Sequence, residues 1–488
     1  MEFWSFPPKY DPAYMPDPSS RYWFPKRETM APADRDKAIL ERLKEVTRYA
    51  YAHSAFYRRK WDEAGFHPDH LRSLEDFEEK VPVITKKDLR EAQARAPKFG
   101  DYLCIPNSEI YHIHGTSGTT GRPTVFAIGR NDWDAIANAH ARIMWAMGIR
   151  PGDLVFIAAI FSLYMGSWGA LAGAERLHAK AFPFGAGAAG MTARAAQWMD
   201  QMKPSAFYST PSFALHLAEV AQSEGLNPRG FGLRHMFFSG EPGASVPGVR
   251  NKIKEAYSAE VFDCGTMAEM SPFMHAGASK ESAQGMLLWQ DIVYTEVCDP
   301  KTFRRVSYGQ RGTPVYTHLE RTSQPMIRLV SGDLTLWESG PNPCGRTYPR
   351  LPNGIFGRID DMFTIRGENV YPSEVDAVLN EIPSYGGEHR IIINREGTMD
   401  ELLVRVEAKP DVYERGEGSI SSLRTEASGK LQKMLGIRAK VEIVAPGTYP
   451  RTDFKARRVI DDREVFRELN TKLSQEADRC VIEFPLSR

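Results

Sequence analysis

The sequence predicts an α/β protein: a large N-terminal domain of mostly parallel sheets with packed helices and a β-rich subdomain, followed by a small C-terminal α+β domain. Three observations carry this. Apolar strand-like runs alternate with amphipathic helical stretches from about 150 to 265. Strand-like alternation dominates from 285 to 340. A compact mixture of helix and strand signals follows residue 360. The 488 residues suffice for two or three domains with sizeable cores.

The elements follow in order. Residues 31–64 place Ile39, Leu43, Val46 and Ala50 on one helical face and read as one helix. EIYHIH (109–114) reads as a strand and runs into HGTSGTTGRPT (114–124), from which a helix opens near Asn131 or Asp132. LVFIAAIF (154–161) reads as a buried strand. It begins an uncharged run of 21 residues, Leu154 to Ala174, long enough to span a bilayer. Ser162, Gly166, Ser167, Gly169 and Gly173 interrupt that run, so a strand, a site-lining loop and a helix start fit it better.

Helix 191–202, SAFYST, helix 212–224, LRHMFFSG, helix 245–257 and AEVFDCG complete the alternation. MLLWQDIVYTEVCD and GTPVYTHL read as strands of the β-rich unit. Helix 373–381, strands HRIIINRE and ELLVRVEA, helix 419–434, strand AKVEIV and helix 462–476 make up the small domain. The expected boundary lies near Asp360, giving domains 1–359 and 360–488.

Lys+Arg and Asp+Glu both total 62, so charge makes no case for nucleic acid or an anionic membrane as partner. The five cysteines (104, 264, 298, 344 and 480) form no C-x-x-C pair and suit a reducing cytosol. The Pro- and aromatic-rich N-terminus lacks a basic start and an apolar core, so no signal peptide is expected and the protein is expected to be cytoplasmic.

In HGTSGTTGRPT, Gly115, Gly118 and Gly121 recur every third residue. Such a loop turns backbone N–H groups toward one anion while Thr and Ser hydroxyls add donors, which points to phosphate; a flexible linker is the plain alternative. It is not a Walker loop, since G-x-x-x-x-G-K-[ST] is absent. Asp333, after Gly332, is either a solvated turn carboxylate or a ligand for ribose hydroxyls. Arg358, Asp360, Asp361 and Arg366 crowd the expected junction, and Lys455 stands among many charges that alone would mean a solvated face.

Taken together, TSGTTGRP, FSGEPG, DCGTMAE, SGD, GRIDDMFTIRGENV and PRTDFKARRV resemble, in order and rough spacing, the adenylate-forming (acyl/aryl-CoA ligase) superfamily. FSLYMGSWGALAGAERL, PMIRLVSGDLT, PCGRTYPR and APGTYPR are most similar to phenylacetate–CoA ligases. The resemblance runs from about residue 36 to 465. It implies an AMP-forming ligase that activates an aromatic or arylacetic acid with ATP and Mg²⁺ and hands the acyl group to CoA. The alternative acceptor is a carrier-protein thiol or an amine. Its partners are a small carboxylic acid and CoA, with no nucleic acid or membrane and with a homodimer allowed.

By that resemblance, Thr116, Ser117, Gly118, Thr119, Thr120 and Gly121 hold the ATP triphosphate. Gly240, Glu241, Pro242 and Asp263 join the nucleotide site, and Asp333 takes the ribose with help from Arg358. Glu269 coordinates Mg²⁺, and Lys455 is brought to the reacting carboxylate. Asp360 is the hinge of a mobile C-terminal domain whose Arg366, Gly367, Glu368 and Asn369 serve the thioester step.

The acid pocket is assigned to Phe161, Tyr164, Met165, Ser239, Gly265, Thr266, Met267 and Pro272, with Trp168 and PFGAGAAG (183–190) beside them; core packing is the plain alternative. Two positions depart from the family pattern. Where relatives stack a tyrosine on adenine, this chain has Gly265 and Thr266, or Cys264 if one residue is inserted; Phe454 replaces the usual glycine before Lys455. With Cys344 alone near PCG, no zinc is expected there.

Overall fold

In a computed structural model of the chain, the alternating apolar runs become an eight-stranded mixed sheet. The structure describes residues 5–116, 124–163, 165–185, 190–265, 267–270, 274–359, 363–365, 368–396, 399–449 and 459–461. The chain divides into two units, Met1–Ile359 and Asp360–Arg488.

In the first unit, β1 (Ile110–Gly115) and β2 (Val125–Gly129) form an antiparallel hairpin. Strands β3 (Leu154–Ile157), β4 (Lys180–Phe182), β5 (Ala206–Ser209), β6 (His235–Phe238) and β7 (Glu260–Gly265) run parallel in the order β4-β3-β5-β6-β7. All residues of β5 and β6 are buried, as befits strands covered on both faces by helices. β8 (Ala276–Ser279) and β9 (Ser282–Leu288) extend the sheet antiparallel. β10 (Val293–Cys298), β11 (Arg311–His318), β12 (Leu329–Val330), β13 (Asp333–Leu336) and β15 (Ile355–Arg358) form the β-rich subdomain, while β14 (Arg350–Leu351) pairs with β9.

In the second unit, β16 (Phe363–Ile365) and β17 (Glu368–Val370) pair as a hairpin. A four-stranded sheet follows from β18 (Tyr385–Glu396), β19 (Met399–Ala408), β20 (Lys440–Val444) and β21 (Val459–Asp461), in the order β20-β19-β18-β21. Helices Pro372–Asn380 and Glu417–Leu435 bury Val375, Leu379, Leu423 and Leu431 with Ile391 and Val404 of that sheet.

Four sequence expectations need correction. The helix read over 31–64 is two, Pro32–His53 and Ala55–Glu63, because Ser54 is extended and its side chain caps the second helix at Tyr57 N. The glycine-rich loop does not pass straight into a helix: β2 intervenes, and the helix Arg130–Ala146 starts after it. The strand read over 154–161 ends at Ile157; Ala158 N still donates to Tyr208 O of β5 at 2.9 Å, but the carbonyls of Ala158 and Ile160 accept from the side-chain hydroxyls of Ser209 and Ser167 and not from backbone N–H groups of a sheet ladder. The run 286–299 is split between β9 and β10 in different sheets, because Asp291 between them is drawn into a buried ionic cluster. The helix read over 462–476 lies outside the described residues.

That cluster ties the N-terminal segment to the core. Asp291 pairs with Arg27 and Arg142, Glu28 with Arg142 and Arg346, and Glu320 with Arg27. Tyr348 donates to Asp291 at 2.6 Å. Among the described residues, no helix is long and apolar enough to cross a membrane.

Candidate active site

Ligands of open parallel sheets sit outside the carboxyl ends of the strands. Ser239, Gly240, Glu241 and Pro242 follow β6, Gly265 closes β7, and Phe161 follows the end of β3. Gly240 takes φ 92°, a left-handed value that favours glycine at this turn. Glu241 Oε1 accepts from Ser212 N at 2.7 Å, which ties the GEP turn to the start of helix Pro211–Ser223. Ser239 Oγ lies 2.5 Å from Tyr208 Oη.

Asp263 is buried on β7 and accepts from Ser245 Oγ at 2.5 Å. Burial pushes its carboxyl up to about 7, against the lowering effect of that hydrogen bond. A Cβ on Gly354 would lie 2.7 Å from Asp263 Oδ2, so only glycine lets β15 begin this close.

The short turn Ala268–Met270 positions Glu269, whose carboxylate is buried. Arg321 Nη1 donates to the Glu269 carbonyl at 3.3 Å, and His318 Nε2 contacts the Met270 carbonyl at 2.9 Å. Arg321 stands just past β11, in a segment held by Asp132, which accepts from Thr322 N at 2.7 Å and Ser323 N at 2.8 Å. Lys86, at the start of helix Lys86–Arg95, brings its ammonium to 3.2 Å from Glu269 Oε1. A capping box between Thr85 and Asp88 fixes that helix start.

Asp333 opens β13 and Arg358 ends β15, directly opposite in the antiparallel register. Arg358 Nη1 is 3.3 Å from Asp333 Oδ1. Ser331 Oγ accepts from Asp333 N at 3.0 Å and shapes the turn through Gly332 (φ 78°). At the tip of the β1–β2 hairpin, Thr116 N donates to Thr124 O at 3.0 Å and Thr124 N to Thr116 Oγ1 at 3.1 Å. These bonds close the neck of the glycine-rich loop. A Cβ on Gly115 would meet Thr124 O at 2.9 Å, so the neck requires glycine there.

A cavity of about 530 Å³ is lined by Ile160, Phe161, Trp168, Leu171, Pro183, Phe184, Gly185 and Met191. It takes in Phe161, Trp168 and the start of PFGAGAAG, but not Met165, Ser239, Gly265 or Met267. Met165 is buried in helix Met165–Arg176, and Ser239 and Gly265 lie at the ends of the central strands. Ser117, Gly118, Thr119, Thr120, Gly121, Tyr164, Thr266, Pro272, Asp360, Arg366, Gly367 and Lys455 lie outside the described residues, and Glu368 and Asn369 are described only as backbone of β17.

Sequence reasoning passed over two residues near these groups. Lys86 lies far from any motif and nothing local marks it. His114 stands inside the quoted loop motif, and its place at a strand end was the available signal.

The AMP-binding enzyme C-terminal domain family matches residues 367–463. A phenylacetate-coenzyme A ligase of Thermus thermophilus is 34% identical over 90% of this chain and 99% of its own length. The structure of a 2-hydroxyisobutyryl-CoA ligase with 2-HIB-AMP, in the postadenylation state, is 70% identical over 97% of this chain and 99% of that chain, with a TM-score of 0.92. The same kind of ligase with 2-HIB-AMP and CoA, in the thioesterification state, is 71% identical over 97% and 99%, with a TM-score of 0.74. Fold and relatives together place the chain among adenylate-forming enzymes. It belongs to the phenylacetate–coenzyme A ligase family and is an AMP-forming acid–thiol ligase.

Proposed function

We propose that this ligase activates a short, branched 2-hydroxy acid of the 2-hydroxyisobutyrate type with ATP, then passes the acyl group from AMP to CoA. The observation that carries this is the 70% identity to the 2-hydroxyisobutyryl-CoA ligase, against 34% to the phenylacetate-coenzyme A ligase, each over nearly the full chain. A second reading keeps the aromatic or arylacetic acid expected from sequence. The cavity walled by Phe161, Trp168 and Phe184 favours it, since its 530 Å³ exceeds what a four-carbon acid fills.

In this reading, residues 1–359 form the adenylation domain and 360–488 the mobile domain that swings at Asp360. Thr116 to Gly121 grip the triphosphate, Gly240 to Pro242 and Asp263 line the adenine, and Asp333 takes the ribose hydroxyls with Arg358 holding its carboxylate. The acid's carboxylate oxygen attacks the α-phosphorus and pyrophosphate leaves. Lys455 offsets the negative charge that crowds onto the transferring phosphorus. In the second step the CoA thiolate attacks the acyl carbonyl and AMP leaves, with residues 366–369 replacing Lys455 at the site.

Glu269 suits Mg²⁺: it is a hard, buried oxygen donor, and a cation, Lys86, already neutralises it. Among the described residues no three His, Cys, Asp or Glu side chains converge. A metal held by Glu269 would take further ligands from phosphate and water, which is how Mg²⁺ is usually held. When bound, Mg²⁺ neutralises charge on the phosphates. The cysteine usage supports a reducing, cytoplasmic setting for this chemistry.

The test is CoA-dependent AMP release across a panel holding 2-hydroxyisobutyrate, phenylacetate and benzoate. The expected kcat/KM for 2-hydroxyisobutyrate exceeds that for phenylacetate by roughly 100-fold or more, the size of discrimination pocket contacts deliver. A preference for phenylacetate establishes the second reading instead.

A further inference from the structure

Arg321 is fully buried just past β11. Burying a guanidinium is costly unless its donors find partners, so where they go is informative. Nη1 donates to the Glu269 carbonyl and Nη2 to the Ala127 carbonyl, each at 3.3 Å, and Nε faces Asp132 Oδ2 at 4.0 Å. One planar group therefore joins the turn that carries Glu269, strand β2 and the first turn of helix Arg130–Ala146. A guanidinium suits this task because its donors leave in fixed directions.

The segment that carries Arg321 is itself held on several sides. Ser323 Oγ donates to the Ala127 carbonyl at 2.9 Å, Ala127 N donates to Gln324 Oε1 at 2.8 Å, and Cys104 N donates to the Ser323 carbonyl at 2.8 Å. His318, also fully buried, makes a second tie to the Glu269 turn. Met326 N donates to His318 Nδ1 at 3.0 Å, so the ring accepts there and carries its proton on Nε2. Nε2 then donates to the Met270 carbonyl at 2.9 Å. Met270 N donates to the Met267 carbonyl at 3.0 Å and closes the turn. The adjacent carbonyls of Glu269 and Met270 are thus pinned from one segment, 318–321. Neither tie touches the Glu269 carboxylate, which Lys86 meets instead.

We infer that Arg321 is a positioning residue for metal binding: with His318 it fixes the backbone of Glu269, so that the carboxylate is presented to Mg²⁺ in one orientation. This rests on the reading of Glu269 as a metal ligand given above. Partners that orient a metal ligand typically contribute roughly 10- to 100-fold to metal affinity. A lysine at 321 keeps the charge but lacks the planar fork that reaches both carbonyls.

Calorimetric titration of the whole chain with α,β-methylene-ATP, with Mn²⁺ and without, gives the factor by which the metal tightens the analogue. Glu269→Gln is expected to lower that factor by about tenfold or more, and Arg321→Lys by about tenfold. The metal-free affinity of Arg321→Lys stays within about twofold of the wild type, whereas a general loss of structure weakens binding with and without metal alike. The double variant loses no more than Glu269→Gln alone, since Arg321 acts through a carboxylate already removed. His318→Asn, whose amide still accepts from Met326 N but is too short to reach Met270, lowers the factor in the same direction. It carries the comparison should Arg321→Lys not fold. An unchanged factor in Arg321→Lys, or equal weakening with and without Mn²⁺, overturns the role of Arg321. An unchanged factor in Glu269→Gln overturns the metal reading of Glu269 instead.

Discussion

Asp333 and Arg358 face each other across β13 and β15, with Arg358 Nη1 3.3 Å from Asp333 Oδ1. The register presents a carboxylate already oriented by a guanidinium. If that carboxylate takes the ribose, Asp333→Asn weakens binding of a non-hydrolysable ATP analogue by about tenfold. Arg358→Gln does less alone, and the double variant loses less than the two losses combined, because each change removes part of one shared arrangement. Calorimetric titration measures all three; wild-type affinity in Asp333→Asn removes Asp333 from the nucleotide site.

In the proposed mechanism Lys455 acts in the first half-reaction only, and Glu269 coordinates Mg²⁺. Lys455→Ala and Glu269→Gln are each expected to lower acid-dependent ATP–pyrophosphate exchange by roughly 10²–10³-fold, the usual loss when one group facing developing charge is removed. Lys455→Ala still converts supplied acyl-AMP and CoA to thioester. Equal loss in both half-reactions contradicts this division of labour.

Glu28 is fully buried and pairs with Arg142 and Arg346. Glu28→Ala leaves two buried guanidinium groups short of a counter-charge, which is expected to cost about 3–5 kcal/mol. The midpoint of urea unfolding, read at constant slope, reports it. A shift under 1 kcal/mol would mean that water or Asp291 compensates.

His140 is buried in helix Arg130–Ala146 against Gly169, where an added Cβ would sit 2.3 Å from its Nε2. Nδ1 is 2.9 Å from the Ile136 carbonyl, and burial lowers the pKa from 6.5 to about 4. The unfolded chain thus binds a proton that the folded chain refuses between those values. The stability contributed by keeping this ring neutral is present above pH 6.5 and is lost as pH falls toward 4. Relative to His140→Gln, the wild type is expected to lose on the order of 2 kcal/mol between pH 7 and 5. Parallel stability curves for the two proteins contradict it.

Much of the secondary structure is legible locally. Helix 191–202 is found as Met191–Met202, and the parallel strands after it stand where apolar runs of four to six residues predict them. Periodicity misplaced what long-range contacts decide. Ser54 breaks a continuous apolar face because its own side chain caps the next helix. Asp291 splits a strand-like run because Arg27 and Arg142 claim it.

The sequence by itself determined the class of chemistry. Six ordered motifs with fixed residue types specify an adenylating site wherever the chain places them. Only the tertiary structure decided which side chains meet. Lys86 reaches Glu269, Arg358 faces Asp333, and His114 meets Trp168 edge to face. The physical reason is range. A motif reports residues a few positions apart, where backbone geometry alone sets the spacing. These pairs are made by strand register and packing between distant segments, and nothing within a short window of sequence encodes that contact.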